Sequence, residues 1–437
     1  MLRARGLGRR AVAAAVATFA AASLAGSAVA APGDLDTTFS GDGKASTDFT
    51  ARFDSAWAVA VQPTDGKIVV AGEAAGSGGK FALARYNMDG TLDTTFGGDG
   101  RVTTNFTRRY DAAFGVAIQT DGKIVAAGDV GFGGGNSMFG VARYLTSGAL
   151  DPAFGGGDGK VTTQFTNRDD GVASVVLESG VQKIVVSGGT NFSGSGGNFA
   201  LARYTPDGSL DPSFGGDGRV TTNFSAGRDY ANDVTVQTNG KIVAGGLAFP
   251  SGARAAFALA RYETDGSLDT TFDFDGRVLT NFTSWHDSVQ DLVVQPDQSI
   301  VAAGIAGSGG SNARFALARY GTDGALDTTF STDGKTVTDF TGGFDGSWDV
   351  VLQADGKIVA TGEAAGSGGR FALARYSMDG MLDTTFGGDG RVTTNFTTRY
   401  DAAFGSALDP NGKIVAAGLA AAGGSNPRVA VARYLTN

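Results

Sequence analysis

Cysteine is absent from this 437-residue chain, and histidine occurs once. The first absence removes disulfides, thiolate metal sites and cysteine nucleophiles together. The second argues against a His-based zinc site or a Ser-His-Asp relay, and no catalytic residue, metal site or cofactor is assigned. Beyond the first 31 residues no long window carries a helical hydrophobic period, and no apolar run approaches the roughly 20 residues that span a bilayer. Positive charge is also in short supply, with 35 Lys and Arg against 44 Asp and Glu. Such an acidic chain is a poor partner for nucleic acid or an anionic membrane.

What the chain does have is glycine, 70 residues of it, with 29 phenylalanines and a 42% hydrophobic content that is ample for a core. Its first 31 residues read as an export signal. Arg3, Arg5, Arg9 and Arg10 precede an alanine-rich run, and Ala28-Val29-Ala30 supplies a small-residue cleavage pattern. Without those four arginines, 31 basic residues face 44 acidic ones, a net charge of −13. An exported protein, secreted or held at the cell envelope, is the expectation.

Self-similarity dominates the remainder. The string LDxxF begins at Leu35, Leu92, Leu150, Leu210, Leu268, Leu326 and Leu382, and Ala-Arg-Tyr also recurs seven times. The second unit holds four runs rich in Val, Ile, Phe and Tyr, at residues 114–119, 123–128, 139–144 and 160–165, separated by Gly, Asp and Ser. Four strands repeated seven times predict an all-β, seven-bladed β-propeller over residues 32–437, with four antiparallel strands per blade. Taking VAIQ as innermost leaves residues 44–49 as an orphan outer strand. The last unit ends after its third strand, so the N-terminal strand is expected to join the C-terminal blade and close the ring, hiding two sheet edges.

The recurring DGKIVVAG and FALARYNMDGTLDTTFGGDGRVTTNF resemble the delta-60 repeats of bacterial β-propeller proteins. The resemblance covers residues 33–437 and implies a propeller on an exported protein. It brings no catalytic motif to transfer.

The repeated positions read as scaffold. The Arg of Ala-Arg-Tyr precedes an LDxxF aspartate by eight residues, as in Arg85 and Asp93, Arg203 and Asp211, and Arg319 and Asp327. A buried ion pair tying the third strand to its following loop is expected, and Arg319→Ala should then cost roughly 3–5 kcal/mol. The GGDG turns lack the ligand set of a calcium loop. The aspartates preceding each inner strand, from Asp54 to Asp401, are expected to order loops through backbone hydrogen bonds.

Function is sought where the units differ. The loops joining second to third strands (73–80, 129–138, 191–198, 247–255 and 305–314) and the crossovers between blades should share one variable face. Aligned inner strands place Asp233, Asp291 and Asp349 in three consecutive units, where the others carry Ala58, Gly115, Ser174 and Gly405. Asn232 and Gln290 precede two of these acids, where other units have Trp57, Phe114, Trp348 and Phe404. This polar sector, with the crossover residues Trp285, His286 and Arg228, is the candidate ligand site. The expected role is a monomeric binding or scaffolding module for a glycan or an envelope protein. A hydrolase or lyase using the acids, or a purely structural surface protein, is the alternative.

Overall fold

A computed structural model describes residues 30–437, apart from 77, 192–195, 251–253, 309–311, 367 and 422–425. The expected export signal therefore lies almost wholly outside the described residues, as do parts of four of the five variable loops named above. Among the described residues, 28 strands form seven four-stranded antiparallel sheets. Blade 2 is typical: Tyr110–Ile118 innermost, then Ile124–Phe132, Met138–Tyr144 and the outer Lys160–Thr163. In the last blade, the orphan strand Lys44–Thr47 pairs with Arg428–Tyr434, Lys44 standing opposite Ala432 and Thr47 opposite Val429. The ring closes with the predicted strand order.

The inner strands start earlier than their hydrophobic pattern suggests. In blade 2 the strand begins at Tyr110 rather than Phe114 because its register slips between Ala113 and Gly115, leaving Phe114 as a bulge residue. A bulge inserts one unpaired residue and reverses inward and outward alternation upstream of it. The same slip occurs in every blade. Its steric cause is the glycine that closes each DGKIVAAG-type motif, inside the second strand. A Cβ on Gly128 would lie 1.9 Å from the Ala112 carbonyl oxygen, and one on Gly72 would lie 1.9 Å from that of Ser55. Only glycine lets the bulged backbone come so close.

The core lies between blades. Phe139, Val141 and Phe154 of blade 2 pack on Val172, Val186 and Tyr204 of blade 3, and the pattern repeats around the ring. Burying one Phe, Val or Leu in this way contributes on the order of 1.5–3 kcal/mol. Buried tyrosine hydroxyls bridge neighbouring sheets: Tyr144 donates to Thr104 at 2.8 Å, and Tyr86 donates to Thr47 at 2.6 Å across the closure.

All seven arginines of Ala-Arg-Tyr are ion-paired to an LDxxF aspartate at 2.6–2.9 Å. Each also reaches out of its own blade. Arg85 Nη1 donates to the Thr146 carbonyl at 2.6 Å, and Arg203 Nη1 donates to that of Thr264 at 2.6 Å. The guanidinium lies over the motif phenylalanine, 4.7 Å from the Phe96 ring centroid in the case of Arg85. One residue therefore fixes a strand, its following loop and the next blade.

Candidate functional site

The bulges decide what faces the axis. Trp57, Phe114, Ala173, Asn232, Gln290, Trp348 and Phe404, one bulge residue per blade, all line a central cavity of about 450 Å³. Four consecutive blades supply an aromatic wall in which Trp57 lies 4.5 Å from Phe404 and 5.7 Å from Phe114, with Trp348 5.8 Å from Phe404. The remaining three supply Ala173, Asn232 and Gln290. Both amides are anchored, since Asn232 Nδ2 donates to the Val289 carbonyl at 2.6 Å and Gln290 Nε2 donates to Ser288 Oγ at 2.8 Å.

The residue following the bulge carries the acids. Asp233 accepts from Ser174 Oγ at 2.6 Å and from the Leu292 N–H at 3.0 Å. Asp291 accepts from the Val350 N–H at 2.7 Å, and Asp349 accepts from the Ser406 hydroxyl. Each acid thus reaches the following blade, and Ser174 reaches back to Asp233 from the preceding one, so a polar arc runs from blade 3 to blade 7. Asp129, from a second strand, joins the cavity and accepts from the Val172 N–H at 2.6 Å.

Removal from bulk water raises all four carboxyls. Burial pushes Asp349 and Asp129 to about 7, partly offset by hydrogen bonds from Ser406 and Val172 respectively. Asp291 rises well above the ordinary range, first through burial and then through the charges of Asp233 and Asp349. Asp233 is also raised by burial, against which its donors Ser174 and the Leu292 N–H act. Of the two, Asp291 is the more strongly held in its neutral form. Asp291 and Asp349 keep part of their surface open to the channel, so depth within the ring, rather than complete exclusion of water, raises them. Two further acids stand behind the aromatic wall. Glu73, raised to about 7 by burial, lies beside the Trp57 indole, and Glu363 lies beside that of Trp348.

A family model described as a domain of unknown function (DUF5122) beta-propeller matches residues 64–96, 119–154, 183–214, 237–272, 295–330, 353–386 and 410–437. The chain belongs to this family. In this DUF5122 propeller, of the delta-60 repeat type, the matched stretches hold the DGK hairpins, the Ala-Arg-Tyr strands and LDxxF. All seven bulge residues, with Asp233, Asp291 and Asp349, fall outside them, whereas Asp129 lies within one. Among solved structures, the chain is similar to a protein of unknown function from Dyadobacter fermentans DSM 18053, at 12% identity over 90% of this chain and 98% of that one, with a TM-score of 0.49. It is also similar to a fungal alcohol oxidase in complex with copper, at 16% identity over 88% and 75% of the two chains, with a TM-score of 0.43. These likenesses bear on no chemistry. No curated protein matches the chain.

The structure brings Asp233, Asp291 and Asp349 together with the residues preceding them, but it separates the crossover residues from that site. Trp285, 56% exposed, lines a different groove of about 390 Å³ with Phe282, Asn312, Arg314 and Val337. His286 accepts from the Ala255 N–H at Nδ1, at 3.1 Å, and its ring lies 5.5 Å from Phe249. Arg228 precedes Asp229 on a crossover and does not line the cavity, though its charge reaches Tyr230, which does. Adjacency in sequence failed here because the crossovers sit over the ring while the bulges point to its axis. Sequence reasoning missed Asp129, Tyr230 and Ala173. Asp129 was legible as an acid standing level with Glu73 and Glu363 on the second strands, but the cavity beside Ala173 was not.

The aspartates before the inner strands are buried loop anchors. Asp54 accepts from the Phe49 and Thr50 N–H groups at 2.8 and 2.9 Å, and Asp170, rather than Asp169, plays this part in blade 3. Crossovers lie against second-to-third loops of the preceding blade, since the Asp229 N–H donates to the Gly197 carbonyl at 2.8 Å and the Asp287 N–H donates to that of Ala255 at 3.0 Å. Both variable loop classes therefore share one face. Among the described residues, no cluster of three or more His, Asp or Glu side chains is placed to hold a metal ion. No helix among them is long and apolar enough to cross a membrane.

Proposed function

We propose that this protein is an exported binding module whose ligand enters the central channel from the variable loop face. The observation that carries the reading is the division of one cavity into an aromatic wall (Trp57, Phe114, Trp348, Phe404) and a hydrogen-bonding wall (Asn232, Gln290, Asp233, Asp291, Asp349). Pockets that combine apolar surface with a few fixed polar groups are the usual form of a recognition site. The cavity extends to Tyr230, the first residue of its inner strand, and so reaches towards the variable loops. A ligand that offers carbon to the rings and hydrogen-bonding groups to the amides and acids suits such a site.

A hydrolytic use of the same acids is the weaker reading. Glycosidases place their two carboxyls on either side of the scissile bond, whereas Asp233, Asp291 and Asp349 stand in one row at equivalent positions of consecutive blades.

Two of the three tryptophans line the channel, and Trp285 does not. Tryptophan fluorescence of Trp285→Phe therefore reports on the cavity alone. A panel of oligosaccharides, polyols, amines and carboxylates should contain a compound that shifts this signal saturably and loses its effect in Trp348→Ala. If no compound does so, the surface-scaffold alternative is the better account. Turnover of any ligand found, abolished in Asp291→Asn but retained in Asp99→Asn, would favour the enzyme.

A further inference from the structure

The acids of the channel differ from the aspartates at the blade junctions. There each aspartate has a basic partner: Asp93 is held by Arg85 at 2.7 Å and Lys67 at 3.1 Å, and Asp211 by Arg203 at 2.8 Å and Lys183 at 2.8 Å. The central cavity is lined by Asp129, Asp233, Asp291 and Asp349 and by no Lys, Arg or His. Buried charges in proteins are ordinarily paired. Asp233, 93% buried, has two hydrogen-bond donors besides its contact with Asp291 but no counter-charge.

The donors that reach these acids leave capacity unused. A carboxylate offers about four lone-pair sites, while Asp291 accepts from the Val350 N–H and Asp129 from the Val172 N–H, one backbone donor each. Across the cavity stand the rings of Trp57, Phe114, Trp348 and Phe404. Aromatic faces attract cations within about 6 Å of the ring centroid, tryptophan most strongly. Carboxylates for N–H donors, ring faces for the carbon chain and charge, and no base to repel the ligand together define one chemistry.

Resting on the reading that the channel binds a ligand at all, we propose that this ligand is an organic cation: a small alkylammonium of the polyamine class, its ammonium groups on Asp233, Asp291 and Asp349 and its methylenes against Trp348 and Trp57. A second ammonium would meet Asp129 on the far side of Ala173. Neutral polyols would leave the buried acids without a counter-charge, and anions would be repelled.

The groups facing these acids are themselves acids or neutral donors. Asp291 faces Asp233 and Asp349, Asp349 faces Asp233 and Ser406, and Asp129 faces Asp169 and Tyr230. A bound cation therefore has protons to displace, and binding should strengthen as the pH rises from 5 to 8.

The test is isothermal titration of the full chain with spermidine and with 1,5-diaminopentane, alongside a neutral trisaccharide and glutarate. The amines should bind saturably at pH 8 and at least tenfold more weakly at pH 5, while the sugar and the dianion give no heat. Asp291→Asn with Asp349→Asn should weaken amine binding at least tenfold. Gln290→Lys, which tethers an ammonium inside the cavity, should block free amine and raise the melting temperature at pH 8 even if the double variant fails to fold. Sugar binding without amine binding would overturn the ammonium assignment and leave the channel site standing. Amine binding left intact in Gln290→Lys would mean adsorption to the acidic exterior and would overturn it as well. Silence from all four probes, together with a Trp285→Phe fluorescence signal that nothing shifts, would remove both readings.

Discussion

Arg433 Nε lies 2.7 Å from the carboxylate of Asp36, a residue 397 positions earlier in the chain. The pair reproduces, between the two ends of the ring, what Arg85 and Asp93 form across eight residues. Both partners are about 4% exposed, and Lys413 adds a second cation at 2.7 Å. Here the scaffold contact of every blade also serves as the clasp.

Removing that clasp should be costly. Asp36→Ala takes from a buried guanidinium its nearest acid and leaves only Asp409 at 3.7 Å, and breaking a buried pair costs about 3–5 kcal/mol. The Arg319 pair behaves differently. Its side chains are 12% and 28% exposed, the most open of the seven, so Arg319→Ala should cost less than the 3–5 kcal/mol range expected from sequence and nearer to about 1–2 kcal/mol. Thermal denaturation of the two variants should rank Asp36→Ala clearly lower. Equal melting temperatures would contradict the burial argument.

The openness of Asp327 has an identifiable cause. In six blades the hairpin lysine covers the aspartate, as Lys241 covers Asp269 at 2.8 Å, but blade 5 has Ser299 at that position. Ser299→Lys should restore the pair and raise stability by about 0.2–1 kcal/mol, the range of a partly exposed ion pair. Denaturant titration with an unchanged midpoint would count against it.

The bulge glycines predict a local and asymmetric effect. Gly128→Ala places a methyl 1.9 Å from the Ala112 carbonyl, so the bulge must shift. Overpacking of this kind costs about 1–3 kcal/mol, and Phe114 should leave the aromatic wall. Gly98→Ala meets no atom within 4 Å, although its φ of +90° makes it a strain control without a clash. A crystal structure of Gly128→Ala with Phe114 unmoved would show that the bulge has another cause.

Stability should peak at mildly acidic pH. Burial alone would raise Asp36, Asp93, Asp211 and Asp269, but their lysine, hydroxyl and arginine partners hold them well below the usual range. Stability from these groups is present above the unfolded value of about 3.9 and is lost as the pH falls through their folded values. Glu73, Asp129 and Asp349, pushed by burial to about 7, act in the opposite sense. The fold binds protons that the unfolded chain has released, so their contribution fades as the pH rises from about 4 to 7. Calorimetry from pH 3 to 9 should show melting temperatures falling on both sides of about pH 5. Glu73→Gln with Asp129→Asn should flatten the alkaline side, and an unchanged profile would place the titration elsewhere.

Much of this was legible in the chain itself. A unit repeated seven times, with four β runs and an orphan strand at the front, dictates a closed ring, because each sheet must cover its neighbour's apolar face and no edge can be left bare. The acids at 233, 291 and 349 and the amides before them could be aligned for the same reason, since identical blades put equivalent positions at equivalent places. Folding alone decided which side chains meet at the axis. The slip of one residue beside Gly128 and its six counterparts turns Phe114 and Gln290 inward. No period of the sequence marks that slip, because its cause is a backbone approaching another strand that only glycine admits. The same holds for Asp129, which reaches Val172 of a neighbouring blade, and for Trp285, which stands six residues from Asp291 in the chain but over a different groove in space.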